Sequence, residues 1–345
     1  MNKKTQTLIR IVLLVGTIAS LYFVPWPIIW VWIQPLPDTV QEQVDQAIKH
    51  NLDGIIVYVD QAGNEPGFYT AGWHNRAEKI TADPKALFKI ASVGKLYNAV
   101  AIAKLVNARK LSLDGTVAQY FPELKGRIEN AESITLRNLV GHTSGIPNYT
   151  DTPNFWVNPP DGQQATLELV LDQPANFMPG KGYEYCNTNY LLISMLIQRV
   201  TGLSEFEYIK EFILNPLDLH DTYPTIHEVD MDRVMSGYYI GVEEDIKTTD
   251  YSSMVASASD LGVFMRALND HSLFKEGEEE IYSSIYKYNH TGLIPGYQTI
   301  SEYHADLDAV VIQFVNTTNF DGYTWNVGQI IYNKVVKILK KQQNN

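Results

Sequence analysis

Cysteine is nearly absent from this chain. Cys186 stands alone, so no intrachain disulfide can form and no cysteine-based zinc site can be built. No Lys/Arg-rich run occurs and the net charge is −12, which disfavours a nucleic-acid partner. There is no H-E-x-x-H and no phosphate-binding glycine loop, and the eight histidines are scattered without ligand spacing. Ile90 occupies the position where a nucleophile elbow ending on Ser92 needs glycine, which argues against an α/β-hydrolase. No internal repeat or low-complexity tract interrupts the 345 residues, of which 45% are apolar, enough for a sizeable core.

Charge is also missing from one long stretch, Ile11 to Ile33, which follows Lys3, Lys4 and Arg10. As one helix it would measure roughly 34 Å, enough to cross a bilayer. The basic end, residues 1–10, is expected to stay cytoplasmic. That puts the rest on the periplasmic or extracellular side of a bacterial cell membrane, as a single-pass protein. Trp26, Trp30 and Trp32 lie near the outer end, where amphipathic rings prefer the interface. A cleaved signal peptide is the competing reading, with Ile11 to Val24 as its core and Thr17 and Ala19 as a weak cleavage site. The uncleaved anchor is preferred, because cleavage after Ala19 leaves a strongly apolar tail in water. Beyond it the chain carries 39 acidic against 24 basic residues, net −15. Residues 34–37, with Pro35 and Pro37, read as a short stiff linker to one domain over 38–345.

Within that domain, apolar spacing at Val40, Val44 and Ile48 predicts a helix over 39–51, and 54–60 reads as a buried strand. Residues 68–73 read as its hairpin partner and 87–90 as a short strand. The middle of the chain is helix-like, notably 92–109, 188–201, 204–214 and 257–269. Ser257 with Asp260 resembles a capping box. After a Glu-rich loop at 276–280, strand patterns return at 286–289, 298–304 and 309–315, and a last helix covers 325–341. Strands at both ends and helices between them predict an α+β fold. In it, one antiparallel sheet is completed by distant halves of the chain, flanked by helices, with an all-helical lobe inserted.

Ser92 and Lys95 fall three residues apart at the start of a helix, so both lie on one face, and the amine can take the serine proton. The Ser92 N–H, at a helix N-terminus, offers half of an oxyanion hole. S-x-x-K also occurs at Ser272/Lys275 and Ser284/Lys287, and by itself the spacing at Ser92 fits an ordinary N-cap better than a catalytic pair. Tyr185-Cys186-Asn187, the single Y-x-N, precedes a helix. Its phenol can shuttle protons and its amide can bind a carbonyl or hold Lys95. His290-Thr291-Gly292, the single H-T-G, can supply a cation or donor, with Gly292 allowing close backbone approach and the Leu293 N–H completing the oxyanion hole.

In this order, S-x-x-K, Y-x-N and H-T-G resemble the serine β-lactamase and D-alanyl-D-alanine carboxypeptidase superfamily, which includes the penicillin-binding proteins and the class C β-lactamases. The flanks agree: residues 88–95, Leu111 to Asp114, Ile134 to Pro147, and Phe177 to Gly180 leading into Tyr185 are each similar to family segments. The likeness runs over about 38 to 341. It implies Ser92 as acylated nucleophile, Lys95 and Tyr185 as the proton-handling pair, and Asn187, His290, Thr291 and Gly292 facing substrate. The oxyanion would lie between the Ser92 and Leu293 amides, with no metal or organic cofactor. The implied activity is D-peptidase- or esterase-like hydrolysis of small peptides, esters or β-lactams, plausibly derived from cell wall. A true β-lactamase and an inactive penicillin-binding sensor are the alternatives. Departures are His290 where many relatives carry lysine, Cys186 where serine is frequent, Leu293 after the T-G, and Ser252-Ser253-Met254 in place of a Gly-rich run. These favour the esterase or D-peptidase branches over β-lactam binding. His142, tempting as a base, is read as structural.

Overall fold

A computed structural model describes residues 2–344. The uncharged N-terminal stretch is not one helix. It forms α1 (Lys3–Leu21) and α2 (Trp26–Ile33), broken where Pro25 caps and Pro27 opens the second helix. α1 is exposed throughout and is the one described helix long and apolar enough to cross a membrane. α2 instead leans on the domain: Val31 is buried, and Lys334 Nζ donates to the Val31 and Gln34 carbonyls at 2.8 and 3.0 Å. A cation thus closes the carbonyl end of the helix. Asp38, at the far side of the proposed linker, pairs with Lys341 at 2.8 Å.

The domain opens with α3 (Val40–Ala47), started by a reciprocal Thr39–Glu42 capping box. β1 (Gly54–Gln61), β2 (Gly67–Asn75), β3 (Ile80–Thr81) and β4 (Leu87–Lys89) follow, then a 3-10 turn at Ala91–Val93 and α4 (Gly94–Asn107). The helical lobe holds α5 (Val117–Tyr120), α6 (Leu136–Val140), α7 (Gln163–Glu168), α8 (Asn187–Thr201) and α9 (Glu205–Ile209), which continues as a π-turn over Lys210–Leu214. The chain returns through β5 (Thr222–Tyr223), β6 (Tyr238–Tyr239), β7 (Val255–Ser257), α10 (Ala258–Asn269) and α11 (Glu278–Ser283). It then enters β8 (His290–Ile294), β9 (Tyr297–His304), β10 (Ala309–Val315), β11 (Thr317–Thr318) and α12 (Tyr323–Gln343).

The main sheet is six-stranded and antiparallel, in the order β3-β2-β1-β10-β9-β8. β1 pairs with β10, Ile55 opposite Val315, so the two ends of the domain close one sheet as expected. Alternation sorts its side chains. Ile55, Val57, Val59, Val311 and Val315 face α3 and α12, while Ile56, Tyr58, Val310, Ile312 and Phe314 face α10 and α4. Both faces are covered, so these strands read as unbroken apolar runs.

α4 lies between sheet and lobe, and twelve of its fourteen residues, Gly94 to Leu105, are buried. A helix apolar almost all round is what such a position demands. Three polar side chains on it, Lys95, Asn98 and Lys104, are buried all the same. Lys104 pairs with Glu278 at 2.8 Å and also donates to the Leu273 carbonyl. The other two face the site.

Three local expectations are corrected. Residues 286–289 are not a strand, because Tyr282 and Tyr286 pack into the core, the Tyr286 N–H returns to the Tyr282 carbonyl, and the ladder begins at His290. The Glu-rich segment is not all loop. Glu278 is drawn in by Lys104 and starts α11. Ser257 does cap α10, but Asp260 turns to the Asp221 N–H and Thr222 hydroxyl and closes no reciprocal box.

Candidate active site

Ser92 sits in the 3-10 turn that feeds α4, where N–H groups have no intrahelical acceptor. The residue before it, Ala91, has φ +51°, a left-handed conformation that costs a non-glycine residue about 1 kcal/mol or more. Three bonds hold that turn. The Ala91 N–H donates to Ser253 Oγ at 2.9 Å, the Ser253 hydroxyl donates to the Met254 carbonyl, and the Ile90 N–H donates to that same carbonyl. On its other side lies β8. A Cβ on Gly292 would collide with the Ile90 carbonyl oxygen and stand 3.2 Å from Ser92 N, so only glycine lets the edge strand approach the serine turn. Thr291, Gly292 and Leu293 therefore line the turn that carries Ser92.

Lys95 Nζ lies 3.1 Å from Ser92 Oγ and donates to Asn187 Oδ1 at 2.8 Å. Among the described residues no carboxylate comes within ion-pair distance of it. Its ammonium stands 5.0 Å from the Tyr185 ring centre and 5.3 Å from that of Tyr190. Asn187 opens α8 and is held twice: its N–H donates to Asn148 Oδ1 at 2.9 Å, and its amide nitrogen donates to Thr150 Oγ1 at 3.2 Å. The Tyr185 hydroxyl is buried with no partner among the described residues. The two spare S-x-x-K matches lie elsewhere, and the Ser284 hydroxyl is spent on the Ile281 carbonyl.

Of the two roles open to His290, cation or donor, the first is lost. Burial, with Lys287 and Lys95 nearby, pushes the imidazole down to about 3, so it is neutral at physiological pH. Its Nδ1 faces the Thr291 carbonyl at 2.5 Å and must carry the proton, since a carbonyl can only accept. Nε2 then accepts from the Tyr286 hydroxyl at 2.9 Å. His142 is likewise held neutral, at about 3, by burial, Lys95 and Lys287. Its Nδ1 accepts the Cys186 N–H at 3.1 Å, and its ring stacks on Tyr185 with centres 4.4 Å apart. His142 is thus a prop for the Tyr185–Asn187 segment, in keeping with its structural reading. Asn148, Thr150 and Ser253 escaped the sequence reading, because each acts across 37 to 162 residues with no local pattern.

Ser92 and Lys95 come from the turn that feeds α4 and from α4 itself, Tyr185 and Asn187 from the segment that leads into α8, and the glycine-bearing edge strand closes the far side. Comparison with known proteins bears on family and fold. The Beta-lactamase family model matches residues 38–300. The protein flp of Staphylococcus aureus (strain MW2) is 28% identical over 193 residues, 54% of this chain and 39% of that protein. Penicillin-binding protein 4* of Bacillus subtilis (strain 168) is 25% identical over 209 residues, 59% of this chain and 44% of that one. The chain therefore spans less than half the length of these relatives. Among solved structures, D-amino acid amidase from Ochrobactrum anthropi SV3 superposes with a TM-score of 0.77 at 21% identity, covering 88% of this chain and 98% of that one. A penicillin-binding protein from Bacillus halodurans gives 0.69 at 22%, covering 85% and 98%. At such identities the likeness is one of fold. Family model, fold and the order of the three motifs converge: this chain belongs to the Beta-lactamase family, within the serine β-lactamase and penicillin-binding-protein superfamily.

Proposed function

We propose that the chain is a serine hydrolase working through an acyl-enzyme on Ser92, of the D-alanyl-D-alanine carboxypeptidase, D-peptidase or esterase kind. The observation that carries this is Lys95 Nζ, shared between Ser92 Oγ at 3.1 Å and Asn187 Oδ1 at 2.8 Å, with no counter-ion among the described residues. In this reading Ser92 Oγ attacks an amide, ester or lactam carbonyl and gives its proton to Lys95 or Tyr185. The oxyanion rests on the Ser92 and Leu293 N–H groups, and Asn187 and Thr291 hold the substrate. The proton passes to the leaving group, and water then releases the acyl group. His290, neutral and joined to Tyr286, shapes the cleft without adding charge to it. That weakens the case for β-lactamase action, because a β-lactam carboxylate loses the cation that lysine would bring. The name D-amino acid amidase among the similar structures supports D-configured amides as substrates. α1 serves as the membrane anchor that holds the domain outside the cell.

The test is intact mass of the chain from Asp38 onward after exposure to a penicillin, beside turnover of an activated ester, with Ser92→Ala in parallel. Ester turnover or a stable adduct on the wild type alone is expected. Equal reaction of Ser92→Ala refutes the assignment, and rapid loss of intact penicillin moves the protein to the β-lactamases.

A further inference from the structure

A cavity of about 180 Å³ runs inward from Lys95 and Asn187, past the rings of Tyr149 and Tyr190, to Glu205. A second, of about 830 Å³, reaches Glu205 from outside the lobe. Glu205 stands where the two meet. Asn98, Ser194 and Gln163 line the cavity beside its carboxylate, and Ser194 Oγ accepts from Gln163 Nε2 at 2.7 Å. No lysine, arginine or histidine among the described residues pairs with Glu205. Partial burial pushes its carboxyl up, while the neighbouring Ser194 and Asn98 and the more distant Lys95 charge pull it back.

Asn98 supplies an independent sign of a missing ligand. It is 7% exposed, lines the same cavity, and its Oδ1 has no partner among the described residues. The inner end of the cavity therefore presents a carboxylate and a spare acceptor, below walls of tyrosine. A half-buried carboxylate without a counter-ion and a buried amide oxygen without a partner suit a cationic donor, and aromatic walls favour one too.

We infer that this inner pocket is a subsite for a primary ammonium group on the substrate's side chain, with Glu205 as counter-ion and Asn98 Oδ1 as second acceptor. The inference rests on the acyl-transfer reading of Ser92. Asn98 follows Lys95 on the same helical face, about 4.5 Å further from the nucleophile. An α-amine, two bonds from the acyl carbon, falls short of it. The terminal amine of a lysine- or ornithine-like residue reaches it, with its alkyl stem along Tyr149 and Tyr190.

The experiment compares two activated esters, of α-blocked D-lysine and α-blocked D-norleucine, which differ in the terminal amine. Wild type should favour the lysine ester by about tenfold or more in kcat/KM, the ordinary worth of a charge-assisted contact. In the isosteric Glu205→Gln variant that ratio should fall towards one. A ratio near one in wild type, or an undiminished ratio in the variant, overturns the subsite. Failure of wild type to turn over either ester speaks instead against Ser92 as an acylated nucleophile.

Discussion

α4 carries a buried lysine near each end, and the two are treated differently. Lys104 meets a carboxylate, Glu278 at 2.8 Å, together with the Leu273 carbonyl. Lys95 meets only neutral oxygens, from Ser92 and Asn187. The first arrangement satisfies a buried charge by pairing it, as burial requires. The second leaves the amine beside the Ser92 hydroxyl and bonded to an amide that cannot neutralise it. One helix thus carries a buried lysine paired with a carboxylate and a buried lysine left without one.

Exchanging each lysine for methionine should split these roles. Lys95→Met is expected to lower kcat by at least about a thousandfold while unfolding in urea at nearly the wild-type midpoint. Lys104→Met leaves Glu278 buried without its partner and should cost about 3–5 kcal/mol by the same denaturation measurement. Equal stability losses for both would erase the distinction. The neutrality of the site's surroundings gives the next effect. His142 and His290 are held near 3 in the fold against about 6.5 in the unfolded chain, so the unfolded chain takes up protons first as pH falls. Stability is therefore full above about pH 6.5 and drains away towards pH 3. Each histidine contributes a slope of up to about 1.4 kcal/mol per pH unit. Urea midpoints measured between pH 7 and 5 should drop by a few kcal/mol equivalent, and a flat profile refutes the neutral assignment. The smallest effect comes from Asn187→Asp, which gives Lys95 the kind of partner Lys104 has. Turnover of an activated ester should fall about 10- to 100-fold with stability held or raised, and unchanged turnover would show that the neutral acceptor is immaterial.

Much of this organisation was legible in the chain. The runs at 54–60 and 309–315 are apolar because both faces of the sheet are covered, and they read as strands. Ser92 and Lys95 read as a pair from their three-residue spacing, but only the order of the three motifs and the family resemblance joined Asn187 to them. Apart from the N-terminal stretch, which Pro25 and Pro27 break locally, the errors fall where tertiary contacts override local pattern. Tyr286 and Tyr288 alternate like a strand but pack against the core from an irregular segment. Glu278, in a polar stretch, is drawn into a buried pair by Lys104. The supports of the site were invisible for a related reason. Nothing near Ser253 hints that its hydroxyl will hold a strained Ala91, 162 residues earlier.

The bonds from Lys334 to the Val31 and Gln34 carbonyls have a mechanical consequence. α2 and α12 move as one body, and the proline-bearing segment after α2 is pinned to the domain rather than paid out as slack. What joins α1 to that body is the short turn Tyr22–Val24. A loose leader lets a catalytic domain sweep a wide volume. Here the link is three residues long, so the domain is held close to the end of α1.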